Sequence, residues 1–189
     1  MAEITCQLDA ITNPAVCNDR GGIRALYWFE ADKVDWATMA ADPLQFDTTN
    51  QQILGYTMLG GAVMTKLTFE RKEAFYDFTY TRDADVYELL ITLMFKSKDI
   101  DRRNSLQSAI ACCNVGLHIY DNSGVQRVVG QDWNGDSFND ILEELAIARH
   151  LDSSGQLGTS RARDEMDLGG QSFFAPLFAD VLEADLPLT

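Results

Sequence analysis

The sequence has few basic residues. Its 189 residues include 15 Lys and Arg against 29 Asp and Glu, which gives a net charge of −14. A surface that grips nucleic acid needs clustered Lys and Arg to neutralise phosphates, and an anionic membrane attracts the same residues. The charge balance therefore argues against both partners. It is compatible with an acidic protein surface that repels DNA, because the repulsion prevents DNA from adhering.

Long apolar runs are also missing. No segment approaches the ~18 to 20 apolar residues of a membrane-spanning helix. The chain opens with Met-Ala-Glu-Ile and shows neither the basic start nor the apolar stretch of a signal peptide. We therefore expect no membrane partner, and synthesis in a reducing compartment.

Cysteine is scarce, and its spacing does not match a metal site. Of the four cysteines, Cys6 and Cys17 are isolated, whereas Cys112 and Cys113 are adjacent. A Cys6–Cys17 disulfide is disfavoured in a reducing compartment. The adjacent pair is predicted to fill small apolar positions in the interior.

The motifs of common enzymes are absent from the sequence. His118 and His150 are the only histidines, one on a predicted strand and one at the end of a predicted helix. No Gly-x-Ser-x-Gly elbow and no phosphate-binding glycine loop occurs. We therefore expect structural roles for both histidines and no catalytic activity.

The pattern that organises the chain lies between Tyr76 and Val129. Apolar and polar residues alternate over 75–82 and 86–95, which predicts two long neighbouring strands. Over 101–113 the apolar residues take helical spacing. Strand alternation then resumes on both sides of a tight turn at Asp121-Asn122-Ser123-Gly124. This module is predicted to be a sheet with one helix packed across it.

The flanking segments extend this sheet. Ile23–Glu30 is a predicted strand with apolar residues on both faces, and Ile23, Ala25, Tyr27 and Phe29 are assigned to one of them. Two further strands are predicted at 53–59 and 65–72, a helix at 137–151, and a last strand at 166–174.

The sequence thus predicts one mainly β domain over 1–189. We expect an antiparallel β-sandwich or open barrel with one flanking α-helix, a long hairpin, an extra inserted helix and extended arms. Its predicted parts are an N-terminal arm (1–22), a β core (23–130) that includes the helix 101–113, an inserted helix with a flexible loop (131–165), and a last strand with a C-terminal tail (166–189).

One acidic segment resembles a calcium-binding loop of the EF-hand type. Its oxygen-bearing side chains follow the ligand spacing of such a loop: Asp132, Asn134, Asp136, Asp140 and Glu143. Ser137 replaces the usual turn glycine, Asn139 replaces an aliphatic residue, and a strand precedes the loop instead of a helix. The alternative is an acidic turn that leads into an N-capped helix. Apart from this possible Ca²⁺ site, no cofactor is expected.

The predicted hairpin 75–95 has one aromatic and one polar face. Asp77, Thr79 and Thr81 form the polar face. This pattern is typical of a hairpin that lines a channel, and also of an ordinary amphipathic hairpin at a surface.

Several short motifs occur in an order that resembles the tail tube proteins of long-tailed bacteriophages. They begin with a Cys-containing arm before Gly21-Gly22-Ile23 and its aromatic strand, and the strand at 86–96 follows. The others are Arg102-Arg103-Asn104-Ser105-Leu106, Leu117-His-Ile-Tyr-Asp121-Asn-Ser-Gly124, Val128-Val129-Gly130, Met166-Asp167-Leu168-Gly169-Gly170-Gln171 and Phe174-Ala175-Pro176. Relative to this family, the helix 137–151 is an insertion.

The resemblance implies a structural virion protein of the phage tail, made in the host bacterial cytoplasm. Such proteins self-assemble into stacked hexameric rings and contact other tail proteins. DNA transits their acidic lumen without specific binding. On this basis the lumen wall would include Asp77, Asp83, Asp85 and Glu88. The arm 1–22, the loop 31–52 and the tail 175–189 would bridge subunits and rings.

Two other functions stay open at this point. A head-decoration or head–tail completion protein would also be structural but would not form a tube. A calcium-dependent binding module would require the 132–143 loop to hold a metal ion.

Overall fold

Strands dominate the part of the chain that the computed structural model describes, which is 22–69, 73–82, 86–95, 100–139, 143–153, 163–172 and 175–188. The strands are β1 (Ile23–Glu30), β2 (Phe46–Asp47), β3 (Gln52–Ile53), β4 (Thr65–Thr68), β5 (Ala74–Thr81), β6 (Val86–Phe95), β7 (Val115–Asp121), β8 (Gln126–Val129), β9 (Asp132–Trp133), β10 (Phe138–Asn139), β11 (Glu143–Ser153), β12 (Arg163–Ser172) and β13 (Leu177–Ala179). The α-helices are α1 (Trp36–Ala41) and α2 (Ile100–Cys112), and short 3₁₀ turns cover Ala31–Lys33, Leu59–Gly61 and Glu183–Asp185.

The strands form two main sheets and one small ribbon. A seven-stranded sheet has the order β2-β3-β13-β8-β7-β1-β4, and a four-stranded sheet has the order β11-β12-β6-β5. Neighbouring strands are antiparallel except for β3 and β13. The pair β9–β10 is a separate hairpin. The mainly β sandwich with a flanking helix that the sequence predicts is confirmed.

The first hydrophobic core lies between the two main sheets. Leu89, Ile91 and Leu93 of β6 point into it, because alternate residues of a strand face the same side. Leu106 and Ala109 of α2 also belong to this core. The helix therefore closes the sandwich, in agreement with the predicted helix at 101–113.

A second core covers the other face of the seven-stranded sheet. It contains Ala25, Tyr27 and Phe29 of β1, together with buried residues of the 31–64 segment and of the C-terminal segment. Ile23 lies in the first core instead, because the register of β1 shifts between Ile23 and Ala25. The face assigned to Ile23 from the sequence is therefore wrong, whereas the double-sided burial of β1 is as predicted.

The loop 31–52 and the tail 175–188 fold back onto their own chain. Met39 and Phe46 of the loop are buried in the second core, as are Leu177, Val181 and Leu186 of the tail. Strand β13 also enters the seven-stranded sheet between β3 and β8.

The predicted inserted helix at 137–151 is wrong. Residues 138–139 form β10, and residues 143–153 form β11, which pairs with β12 along most of its length. Leu145 is buried in the first core, whereas Ala146 is exposed. The segment is rich in Glu, Leu and Ala, which favour helix locally, but pairing with β12 overrides this weak preference.

Two further predictions need correction. The strand expected at 53–59 is limited to Gln52–Ile53, and the one at 65–72 to Thr65–Thr68 within the described residues. Cys112 and Cys113 are joined by a disulfide, and Cys112 is exposed, so they do not fill apolar positions in the interior. Cys6 and Cys17 lie outside the described residues. None of the helices in the described ranges has the length and apolarity needed to cross a membrane.

Candidate functional surface

Within the described residues, one face of the four-stranded sheet is only partly covered. Glu88 and Leu90 are exposed there, whereas Thr92, Glu165 and Asp167 are buried. The inner face of the sheet packs into the first core, and the residues between the inward-pointing ones are directed away from it. We call this second side the outer face. On β6 it carries Glu88 and Leu90, which are both exposed, and on β5 it carries Asp77 and Thr79. A face of this kind on an otherwise covered sandwich is available for contact with other molecules.

A depression of about 600 Å³ lies on the outer face, near the start of β6 and the end of β12. Asp77, Thr79, Glu88, Leu90 and Gln171 line it. Strand pairing brings these residues together, because Thr79 and Gln171 lie opposite Glu88 on either side, and Asp77 lies opposite Leu90. Two exposed carboxylates therefore lie within one small area of the sheet.

A second group of charges lies on β11 and β12. Arg149 Nε donates to Asp167 Oδ2 at 2.6 Å, and its Nη2 forms an ion pair with Glu165. Thr92 Oγ1 also donates to Asp167, at 2.8 Å. Burial raises the pKa of Asp167, but the hydrogen bonds from Arg149 and Thr92 outweigh it and leave that pKa below its usual value. The Asp167 carboxylate is therefore held in the charged form.

The described part of the outer face carries a net negative charge. Asp77, Glu88, Glu165 and Asp167 supply four carboxylates, and Arg149 supplies one guanidinium, so these groups sum to −3 (−4 + 1). Asp83 and Asp85, which the resemblance assigns to the same wall, lie outside the described residues.

The same sheet has two strands with an open edge. β5 and β11 are its outermost strands, and each is paired on one side only within the described ranges. An open edge presents backbone N–H and C=O groups to which another strand can bind.

The acidic residues of β12 are not among the site residues predicted from the sequence, although the sequence contains an alternating pattern that could identify them. Glu165 and Asp167 alternate with Met166 and Leu168, which are buried in the first core. This is the same period-two pattern that identifies Asp77 on β5. The pairing of Arg149 with both acids depends on the β11–β12 register, which the sequence does not contain.

The segment that resembles a calcium loop forms the β9–β10 hairpin. Asn134 Oδ1 accepts hydrogen bonds from the amides of Asp136 and Ser137, both at 2.9 Å, so the proposed ligand oxygen shapes the turn. Gly135 adopts a φ of 106° in this turn. Asp140 and the side chains of Asp132 and Glu143 lie outside the described residues. Within the described ranges, no group of three or more His, Cys, Asp or Glu residues is placed to hold a metal ion.

Both histidines have defined partners. His118 is fully buried, its Nδ1 accepts from the Tyr56 hydroxyl at 2.9 Å, and its Nε2 donates to Gln126 Oε1 at 3.0 Å. Burial lowers the pKa of His118 to about 4. His150 lies on β11, where it contacts Asp164 and Arg103. The arrangement around His118 is that of a neutral histidine in a hydrogen-bonded core.

No protein-family model matches the chain, and the searches of curated proteins and of solved structures also gave no match.

Proposed function

We propose that this protein is a structural, non-enzymatic subunit that self-assembles into closed rings. These rings, which we expect to be hexameric, stack into a phage tail tube through which DNA passes. The subunit would be made in the bacterial cytoplasm and would function in the virion tail, beside other tail proteins. The outer face of the four-stranded sheet would line the lumen.

The observation that carries this proposal is a sheet that, among the described residues, has an exposed acidic area on one face and two open edges. Pairing β5 of one copy with β11 of the next would extend the sheet from subunit to subunit. A repeated head-to-tail contact closes into a ring when its rotation allows, and closure removes both open edges of the four-stranded sheet. Because all copies are related by rotation, the outer face would lie on the same side of the wall in each subunit.

The charge of the outer face suits the inside of such a ring. A hexameric ring would carry roughly −18 (6 × −3) from the described groups of this face. Like charge repels DNA phosphates, and the repulsion extends about 8 Å from the wall at physiological salt. DNA could then slide through the lumen without adhering to it.

The two most exposed large apolar side chains of the described residues lie in the segments proposed to bridge subunits. Leu44 in the loop 31–52 is 82% exposed, and Leu182 in the tail is 71% exposed. Both segments pack on their own chain and present these side chains outward. Burial against a neighbouring subunit or ring would remove that apolar surface from water.

Negative-stain electron microscopy at rising protein concentration tests the proposal. We expect rings with a central hole, and stacked rings at the highest concentrations. Phe75→Lys replaces an exposed apolar side chain of the open edge strand β5 with a charged one, and it should abolish rings because the neighbouring subunit would lose that apolar contact. Val63→Lys is the matched control, because the two side chains are 40% and 43% exposed and Val63 lies outside the four-stranded sheet.

The outcomes separate the candidate functions. Rings in the wild type and in the Val63 variant, but not in the Phe75 variant, would support assembly through β5. A wild-type monomer at every concentration would refute the tube. It would favour a head-decoration or completion protein, or a calcium-dependent module.

A further inference from the structure

The disulfide between Cys112 and Cys113 lies between α2 and β7, an interior strand of the seven-stranded sheet. Cys112 is the last residue of α2, and the amide of Cys113 donates to the carbonyl of Ala109 at 2.9 Å. The carbonyl of Asn114, the next residue, accepts from the amide of Ala31 at 2.8 Å. Backbone hydrogen bonds therefore fix the chain on both sides of the disulfide.

The disulfide is open to small molecules. It lines a groove of about 720 Å³ between the end of α2 and strand β11, together with Ile110, Leu145 and Ile147. Cys112 is exposed and Cys113 is half-buried. We therefore expect a reagent that enters the groove to react at Cys112, the more exposed residue of the pair.

Stabilisation of the fold is a poor explanation for this disulfide. A disulfide stabilises a protein mainly by restricting the unfolded chain, and this effect grows with the length of the loop that the bond closes. Cys112 and Cys113 are one residue apart, so the bond closes almost no loop. Because the bond stabilises the fold little and is accessible from the groove, we expect it to react with small molecules.

We propose that Cys112 and Cys113 are a reversible thiol–disulfide site for low-molecular-weight thiols and disulfides of the glutathione class. In the reducing direction, a small thiolate attacks Cys112 Sγ, the Cys112–Cys113 bond breaks, and Cys113 leaves as the thiolate. A second small thiolate attacks the small-molecule sulfur of this mixed disulfide and releases Cys112. The protein disulfide gains two electrons and two protons, and two small thiols become one small disulfide.

The oxidising direction follows the same steps in reverse. Cys112 forms a mixed disulfide with a small disulfide, and Cys113, the next residue, displaces the small thiol. Cys113 is therefore the resolving cysteine, and the adduct on Cys112 does not accumulate in the wild type. The site does not depend on ring assembly, so it can be tested separately from the proposed tube.

Redox titration of the folded chain tests this inference. The protein is equilibrated with glutathione buffers of increasing oxidised fraction, blocked with N-ethylmaleimide, digested with trypsin and analysed by mass spectrometry. The tryptic peptide 104–127 contains Cys112 and Cys113 and no other cysteine. As the oxidised fraction of glutathione rises, this peptide should change from the doubly labelled form to an unlabelled form. The mass of the unlabelled form should be two hydrogen atoms below that of the dithiol peptide, and no disulfide-linked dimer should form. Cys6→Ser with Cys17→Ser should leave the midpoint unchanged.

Two single variants test the separate roles of the sulfurs. Cys113→Ser should trap a stable glutathione adduct on Cys112, several-fold faster than Cys112→Ser traps one on Cys113. A wild-type peptide that stays doubly labelled in every buffer would overturn the proposal. So would glutathione adducts in the wild type at the level of the Cys113 variant, or disulfide-linked dimers as the main oxidised product.

Discussion

Reversing the charge of the outer face should make the assembled tube retain DNA. The change is Asp77→Lys together with Glu88→Lys, two exposed positions that line one depression. The described groups of the face then change from −3 to +1, because two carboxylates are lost and two ammonium groups are gained. In a hexameric ring the sum would change from roughly −18 to +6 (six times each value).

The effect on folding should be small. Asp77 lies opposite Leu90, and Glu88 lies opposite Thr79, so the two acids are diagonal neighbours on antiparallel strands. Diagonal neighbours are about 7–8 Å apart, where two like charges in water repel by about 0.5 kcal/mol before screening by salt. Two lysines repel each other by a similar amount, so the free energy of unfolding should change by less than about 0.5 kcal/mol.

Nuclease protection measures the retained DNA. Tubes are assembled with short duplex DNA and treated with nuclease, and the surviving DNA is quantified. The lysine variant should protect DNA at about 50 mM salt and lose this protection towards about 500 mM, because phosphate contacts weaken as salt rises. Wild-type tubes should protect none.

A matched control tests whether DNA retention depends on where the new positive charges lie or only on the net charge of the protein. Asp32→Lys with Asp136→Lys makes the same change in net charge at exposed positions outside the four-stranded sheet. If the control tubes protect as much DNA as the Asp77 and Glu88 variant, the lumen assignment is refuted. Failure of the Asp77 and Glu88 variant to assemble would also refute it, because the face would then be a contact between subunits.

Three further predictions concern the packing at Gly116, the buried His118 and the segment that resembles a calcium loop. Gly116→Ala should lower the free energy of unfolding by about 1–3 kcal/mol in urea titrations, because an added Cβ would lie 2.3 Å from the Phe29 ring. Gly55→Ala, where the nearest atom is 3.7 Å away, should have little effect; equal losses would show that the clash is not the cause. His118 has a folded pKa of about 4 against about 6.5 unfolded. Its contribution to stability is therefore complete above pH 6.5 and falls by about 3 kcal/mol towards pH 4, and His118→Gln should remove this part of the pH dependence. A pH profile that stays the same in the variant would exclude His118 as its source. Calorimetry with Ca²⁺ should give no binding heat, because Asn134 Oδ1 already accepts two backbone hydrogen bonds; a saturable heat would restore the calcium-loop interpretation.

Local periodicity made the sandwich predictable. The alternation in β5 and β6 identifies which residues point inward, and Leu89, Ile91 and Leu93 do lie in the core. The helix at 101–113 was found for the same reason, since its apolar residues follow helical spacing. In these segments the local pattern and the tertiary structure agree.

Segments whose structure depends on pairing with another strand were not predictable. Residues 143–153 have the composition of a helix, but they pair with 163–172. The C-terminal segment becomes part of the sheet by pairing β13 with β3 and β8, both far away in sequence. Such pairs follow from the packing of the whole chain, which no short window of sequence contains.

The same distinction applies to the outer face. Asp77 and Glu88 belong to one hairpin, so their alternation was enough to place them together. Arg149, Glu165 and Asp167 join them through the pairing of β12 with β6 and β11. Only the assembled sheet shows that the acidic area extends across β5, β6 and β12, with Arg149 of β11 beside it.

Electron cryomicroscopy of the assembled protein would show directly which face of the four-stranded sheet surrounds the lumen. We predict a closed ring in which β5 of each subunit pairs with β11 of the next, and in which the outer face, with Asp77 and Glu88, surrounds the hole. A ring with this face on its outside, or buried between stacked rings, would refute this arrangement.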